Sequence, residues 1–300
     1  MIAVWSAAQI QGTRDYQEDR YGVVENNAIF YRGKRYPFEP GLFPAHYSLY
    51  VLADGMGGMG HGEQAASTVV EAFIETFINL GNDALPPMER LRAALDEANQ
   101  AIARIVAREP DKQGMGATLI ALLWDRQDST LNWLSVGDSL LQRYRDQALT
   151  TLNQKHTYQQ LAQRHADQGD ANRAAELAAL GNTLSSAVDG QPIPEVDQPD
   201  QPLPVNGGDL IILASDGLET LSDQQVSTTL AEAARAWQSA PGAESSTDAL
   251  ATCRDALFDQ LRLAQSPYQD NCTLVLIGWQ ANLPDQTSDH TQPPPTESRS

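Results

Sequence analysis

The chain has 300 residues, 41% of them hydrophobic, and its 20 Lys and Arg against 39 Asp and Glu leave a formal net charge of −19. That is enough apolar material for a full core, arranged as one domain or as a domain with a tail. A surface this acidic repels phosphate backbones and anionic lipid, so nucleic acid and membrane surfaces are poor partners, and a substrate phosphate has to be drawn in by local cations or metals.

Residues 3–8 read as a strand, Gly12 opens a polar turn, and 21–24 resumes an extended pattern. The Pro-, Gly- and aromatic-rich stretch 31–46 reads as a long hairpin or loop, followed by a strand over 47–53 and a glycine-rich turn over 55–62. Two long helices follow. Ala65, Ala66, Val69, Val70, Phe73, Ile74, Phe77 and Ile78 recur at helical spacing, as do Leu91, Ala94, Leu95, Ala98, Ile102 and Ile105, with Pro86-Pro87 between the two sets. Extended segments return at 118–124, 131–136 and 140–144. Residues 156–200 are polar and rich in Ala and Gln, which suggests short helices and a flap, and their proline-rich end argues against regular structure there. A strand at 210–214, helices over 224–237 and 247–264, and a last strand at 273–279 complete the pattern. From about Asn282 the composition is that of a disordered tail, leaving 1–281 as the folded domain. The order is not an alternating βαβ one; an α+β architecture with helices segregated from antiparallel sheets fits it better.

No apolar run approaches membrane-spanning length. The N-terminus has no basic segment before its apolar residues, so no signal peptide is expected and a soluble cytoplasmic protein is the default. Cys253 and Cys272 lack Cys-x-x-Cys spacing, and Asp259 and Gly278 stand where a cysteine-dependent phosphatase loop needs arginine.

The acids carry the chemistry. Asp54 and Asp216 each end an apolar run and are each followed by glycine, in Tyr-Val-Leu-Ala-Asp-Gly and Ile-Ile-Leu-Ala-Ser-Asp-Gly. A buried strand ending in Asp-Gly delivers a carboxylate to the rim of the core and lets the backbone come close to whatever it binds. Glu18-Asp19 and Asp270 occupy similar strand-end positions. Such a set suits hard divalent cations, which prefer carboxylate, carbonyl and water oxygens. Asp54 can serve two ions, Gly55 can add its carbonyl, Asp216 and Asp270 can complete one shell, and Asp19 with Glu18 the other. Two such ions activate water and neutralise charge on a phosphate ester under attack, and Arg14 offers a planar fork for phosphate oxygens.

Asp-Gly after a strand is often only a turn, but four acidic sites at strand ends make that reading poor for the set. The 55–62 loop lacks the Gly-Lys-Ser/Thr ending of a P-loop. His61 alone is a weak ligand, Asp138 in Val-Gly-Asp-Ser reads as a turn residue, and Met56 and Met59 read as packing residues.

Six segments together resemble the metal-dependent Ser/Thr protein phosphatases of the PPM, or type 2C, family, its bacterial branch above all. They are Arg14-Asp-Tyr-Gln-Glu-Asp19, Ala53-Asp-Gly-Met-Gly-Gly58, Gly114-Met-Gly-Ala-Thr118, Val136-Gly-Asp-Ser139, Leu213-Ala-Ser-Asp-Gly-Leu218 and Asp270-Asn-Cys-Thr273, in the family's order. The resemblance implies a four-layer αββα fold, a central antiparallel β-sandwich flanked by helix pairs. It implies two Mn²⁺ or Mg²⁺ held by Asp19, Asp54, Gly55, Asp216 and Asp270, with Glu18 and Asn271 close by, catalysis through Asp54 and Arg14, and phosphate binding by Arg14. It also implies hydrolysis of phosphoserine and phosphothreonine in phosphoproteins, those of a cognate Ser/Thr kinase, by a monomer. The stretch 156–200 matches the family's variable flap. Met56 stands where eukaryotic members carry a histidine, Gly-Ala-Thr replaces Gly-Thr-Thr, and Leu140 replaces a common arginine. Gln113 stands about where bacterial members place an aspartate for a third metal, and Asp111 is out of register with it, so a third site stays open. Two alternatives also remain: a phosphatase of small phosphoesters, and a pseudophosphatase acting as a phosphoprotein-binding module.

Overall fold

A computed structural model describes residues 2–81, 85–238 and 243–280; the expected tail lies outside them. The chain begins with β1 (Ile2–Ile10), β2 (Arg20–Glu25), β3 (Ala28–Tyr31), β4 (Lys34–Pro37), β5 (Tyr47–Ala53) and the short β6 (Gly55–Met56). Helices α1 (His61–Asn79) and α2 (Pro87–Arg108) follow, then β7 (Gly116–Ala117), β8 (Leu119–Asp125), β9 (Thr130–Val136), β10 (Leu140–Arg145) and β11 (Ala148–Thr151). The rest comprises α3 (Tyr158–Asp167), α4 (Ala171–Ala178), β12 (Leu203–Pro204), β13 (Leu210–Ala214), α5 (Asp223–Gln238), α6 (Ala243–Ala264) and β14 (Cys272–Gln280).

Strands in the order β1-β14-β13-β10-β11 form one sheet, and β12-β9-β8-β5-β2-β3-β4 form a second; β6 and β7 pair separately, and every pairing is antiparallel. Side chains alternate across each strand, so each sheet buries two faces. On β5, Tyr50 and Leu52 meet Ile211, Leu213, Val275 and Ile277 of the facing sheet. Leu49, Val51 and Ala53 point the other way, onto Val69, Val70 and Phe73 of α1 and Leu91 and Leu95 of α2. On the opposite side Leu210, Ile212, Leu274 and Leu276 pack against Leu230 and Trp237 of α5 and Leu257 and Phe258 of α6. The result is four layers, helices–sheet–sheet–helices, as the family resemblance implies.

Two hairpins and an edge strand go beyond the sequence reading. Asn26-Asn27 and Arg32-Gly33 make two-residue turns with positive φ, so 28–37 is regular hairpin and only the remainder of 31–46 is loop. Asp146-Gln147 turns β10 into β11 in the same way. Residues 156–200 fold as α3 and α4 followed by chain without a regular element, apart from isolated bridges such as Ala117 to Val188.

Register decides where the acids go. The start of β2 pairs with the end of β5 (Arg20 with Ala53), and the end of β13 pairs with the starts of both β10 and β14 (Ala214 with Leu140 and Leu274). The residues just beyond these ends, Asp19, Asp54, Asp138, Asp216 and Asp270, therefore emerge at one end of the sandwich.

Candidate metal centre

A cavity of about 400 Å³ at that end is lined by Arg14, Glu18, Asp54, Gly55, Asp216, Asp270 and Asn271, all of them expected from the sequence. Asp19 lies beneath it, fully buried. Asp138 lines it too, correcting its reading as a turn residue: the turn after β9 is there, but it turns the carboxylate inward. Thr118, Met56 and residues 182–184 of the flap complete the wall.

Asp19, Asp54 and Glu18 are each held by a hydroxyl or amide from another motif. Asp19 Oδ2 accepts from Ser215 Oγ at 2.8 Å and Thr273 Oγ1 at 2.7 Å. The Asp19 carbonyl accepts from Gln9 Nε2, which also donates to Thr273 Oγ1. The Asp54 N–H donates to Thr118 Oγ1 at 2.9 Å, the Thr118 N–H donates back to the Asp54 carbonyl, and Ser139 meets the Thr118 hydroxyl at 2.8 Å. Asn271 works as a clamp: its Oδ1 accepts the Glu18 N–H, while its Nδ2 donates to the carbonyls of Gln11 and Tyr16. His156, whose pKa burial lowers, accepts the Gly137 N–H on Nδ1 and so steadies the turn that carries Asp138. The sequence reading missed these roles for Thr118, Ser139, Ser215, Thr273 and His156. The signal was the hydroxyl residue that accompanies the acid in three of the motifs.

Close backbone approach explains two glycines. A Cβ on Gly55 would fall 2.0 Å from the Gly62 carbonyl oxygen, and one on Gly217 would fall 2.0 Å from the carbonyl oxygen of Asn271. Nothing larger than hydrogen fits beside either Asp54 or Asp216.

Electrostatics mark the cluster. Burial, with the neighbouring Asp19, Asp216, Asp138 and Asp270 carboxylates, pushes Asp54 well above the usual carboxylate range. Burial raises Asp216 to about 7, aided by Asp138 and Asp270. It raises Asp19 to about 6 against the opposing pull of the Thr273 and Ser215 hydroxyls. Asp138 and Glu18 are raised too, chiefly by burial, which Lys155 counters at the first and the Gly62 N–H at the second. Buried oxygens of three acids, Glu18 Oε1, Asp19 Oδ1 and Asp216 Oδ1, have no hydrogen-bond partner among the described residues. Arg14, more than half exposed, is ion-paired with Asp270.

This donor set fits a hard divalent cation in its chemistry: all oxygen, mostly anionic, lining one cavity. Among the described residues no three acidic, His or Cys side chains stand close enough together to hold an ion as they are. Like charges in one cavity repel, and Arg14 engages Asp270, so the set has to tighten for a cation to bind. Asp111 lies exposed in the 3-10 turn Pro110–Lys112 and is not among the cavity-lining residues. No described helix is long and apolar enough to cross a membrane.

Residues 43–255 match the protein phosphatase 2C family model. The chain is 33% identical over 181 residues to the serine/threonine protein phosphatase PstP of Mycobacterium tuberculosis, covering 59% of this chain and 33% of PstP. It thus spans about a third of the length of that relative. It is 27% identical over 219 residues to the serine/threonine phosphatase stp of Listeria monocytogenes, covering 69% of this chain and 74% of stp. Among solved structures, the M. tuberculosis phosphatase PstP/Ppp superimposes with a TM-score of 0.66 at 25% identity, covering 94% of this chain and 100% of that one. The PstP catalytic domain in complex with two manganese ions superimposes with a TM-score of 0.62 at 26% identity, covering 92% of this chain and 97% of that one.

Proposed function

The chain belongs to the protein phosphatase 2C family, and from that premise we propose that it is a metal-dependent protein serine/threonine phosphatase. Its substrates are phosphoserine and phosphothreonine in proteins, those of a cognate kinase, and it acts as a cytoplasmic monomer. The observation that carries the reading is the convergence of strand-end acids and Arg14 on one cavity, with buried carboxylate oxygens that no group among the described residues satisfies.

Asp19, Asp54, Asp216 and Asp270, with the Gly55 carbonyl, would hold two Mn²⁺ or Mg²⁺, and Glu18 and Asn271 would keep that ring in place. When bound, such cations neutralise phosphate charge and make solvent nucleophilic at neutral pH. The protein's own part is positioning. Arg14 exchanges Asp270 for phosphate oxygens, which match its fork. Thr118 and Ser139 fix the backbone of Asp54, and Ser215 and Thr273 keep Asp19 ionisable. Met56 lines the cavity and has no proton to give, so a different group protonates the leaving alkoxide. The manganese-bound PstP structure supports the choice of metal and its number.

Hydrolysis of p-nitrophenyl phosphate and of a phosphothreonine peptide should require Mn²⁺ or Mg²⁺ and cease with chelator. Equal rates in EDTA would refute the metal assignment.

A further inference from the structure

A second and larger cavity, of about 680 Å³, lies against the first. No residue lines both, but near neighbours in the same segments line one and the other. In the turn Asp216–Thr220, Asp216 lines the first cavity, while Leu218 and Glu219 line the second. At the start of β10, Asp138 lines the first and Leu140 the second. The Lys155–Glu219 ion pair stands at the junction, with Lys155 also acting on Asp138. Beside four amides, Gln142, Asn153, Gln154 and Gln160, the remaining lining carries two hydroxyls, the ion-paired Arg164, an aspartate and two apolar side chains.

Gln142 is the informative residue. It sits on β10 between Leu140 and Tyr144, whose side chains join the apolar core under α5 and α6. It is 4% exposed, and among the described residues its Oε1 has no partner and its Nε2 makes only a long 3.4 Å contact to Thr151 Oγ1. A buried amide without partners is costly, and a donor arriving from the cavity offsets that cost. Peptide N–H and C=O groups recur along any extended chain. Gln side chains offer both a donor and an acceptor, so they can pair with that backbone whatever its sequence.

We propose that this second cavity binds the polypeptide flanking the phosphorylated residue, making the protein selective for phosphorylated polypeptide over small phosphoesters. The proposal rests on the phosphatase reading of the first cavity. Phosphate enters beside Arg14, and the chain attached to it continues past the Lys155–Glu219 pair into this trough.

The test compares a twelve-residue phosphothreonine peptide with p-nitrophenyl phosphate, at saturating Mn²⁺, in wild type, Gln154→Trp, Gln160→Trp and Gln142→Leu. Gln154 and Gln160 are exposed, so tryptophan fills the trough without disturbing the core. The ratio of kcat/KM for peptide to that for p-nitrophenyl phosphate should fall about tenfold or more in the filling variants, mainly through KM, and about fivefold in Gln142→Leu. An unchanged ratio in both tryptophan variants overturns the proposal, as do equal losses on both substrates. If wild type hydrolyses neither substrate, the phosphatase reading falls, and fluorescence anisotropy of the same labelled peptide decides the trough: weaker binding in both tryptophan variants supports it, and unchanged binding refutes it.

Discussion

The two ends of β13 each carry a carboxylate, and the two are handled in opposite ways. Asp209, just before the strand, is 2% exposed and fully satisfied. Its Oδ1 accepts from Arg145 Nε at 2.5 Å, and its Oδ2 accepts from Arg145 Nη2 and from the Asn206 N–H. Asp216, just after the strand, has a buried Oδ1 with no donor and is raised to about 7 by burial and by Asp138, Asp270, Asp19 and Glu219. A carboxylate closed by a guanidinium is a clasp that holds a β-strand in register. A carboxylate ringed by others is relieved by taking up a proton or, on the reading proposed above, a metal cation. Burial alone does not separate structural from functional acids; the company each keeps does.

The sharpest way to break this comparison is Asp216→Asn. It should lower kcat/KM by about 10³-fold or more, roughly 4 kcal/mol of transition-state stabilisation, because it removes a proposed metal ligand. In EDTA the same variant should melt no lower than wild type, since a buried charge is lost without a partner being orphaned. Kinetics with Mn²⁺ and calorimetry with chelator read the two effects, and retention of full rates would refute the role.

Next in size is the pH response of the metal-free protein. Asp19 and Asp216 are raised to about 6 and about 7 in the fold, against an ordinary value near 4 in the unfolded chain. The folded state therefore binds more protons between those limits. The cluster's contribution to stability is fullest below about pH 4 and is lost as pH rises through 6 and 7. In EDTA, Tm should drop from pH 5 to pH 7.5; Mn²⁺, which favours the ionised acids, should flatten or reverse the slope. Asp216→Asn should show a smaller drop than wild type, and an equal drop would assign the effect to other groups.

The satisfied end predicts the reverse pattern. Asp209→Ala should cost about 2–3 kcal/mol of stability, because it strands Arg145, which is only partly exposed. The remaining folded protein should keep its kcat. A loss of activity larger than the loss of folded protein would mean that the far end of β13 is coupled to the cavity.

Much of this was legible in the sequence, for reasons that differ from element to element. The helices α1 and α2 announced themselves because an apolar face recurs every three or four residues over several turns. The acids at 54 and 216 were legible because a fully apolar strand stops abruptly at Asp-Gly. The hairpin at 28–37 was legible only in part: 31–46 reads as a long hairpin or loop, but its start at Ala28 was not, and Arg32 adopts positive φ without being a residue that advertises a turn. Asp138 was misread because Val-Gly-Asp-Ser is good turn chemistry, and nothing local in it tells that the residue comes to line the cavity, where His156 holds the preceding Gly137 N–H and Lys155 acts on the carboxylate. The hydroxyls of Ser215 and Thr273 were visible beside the acids of their own motifs, but not which acid they serve, because a hydrogen bond across 254 residues, such as Thr273 to Asp19, has no local signature.

Those hydroxyls supply the smallest and most discriminating test. Thr273→Val keeps the shape of a fully buried side chain and removes one donor to Asp19 Oδ2, leaving Ser215 as the other. Among the influences that hold Asp19 down, the Thr273 hydroxyl is the foremost, so its loss should carry the Asp19 pKa further above about 6. The stability cost should then depend on pH: about 0.5–1 kcal/mol at pH 5, where Asp19 is largely neutral, and about 1.5–2 kcal/mol at pH 7.5, where the ionised acid has lost a charge-assisted bond. Mn²⁺ affinity, measured by titration calorimetry, should weaken several-fold at pH 6 and recover toward wild type at pH 8, because binding first requires the proton to leave. Cost and affinity loss that stay flat across that range would make Thr273 a packing residue, no different in kind from the contacts around Asp209.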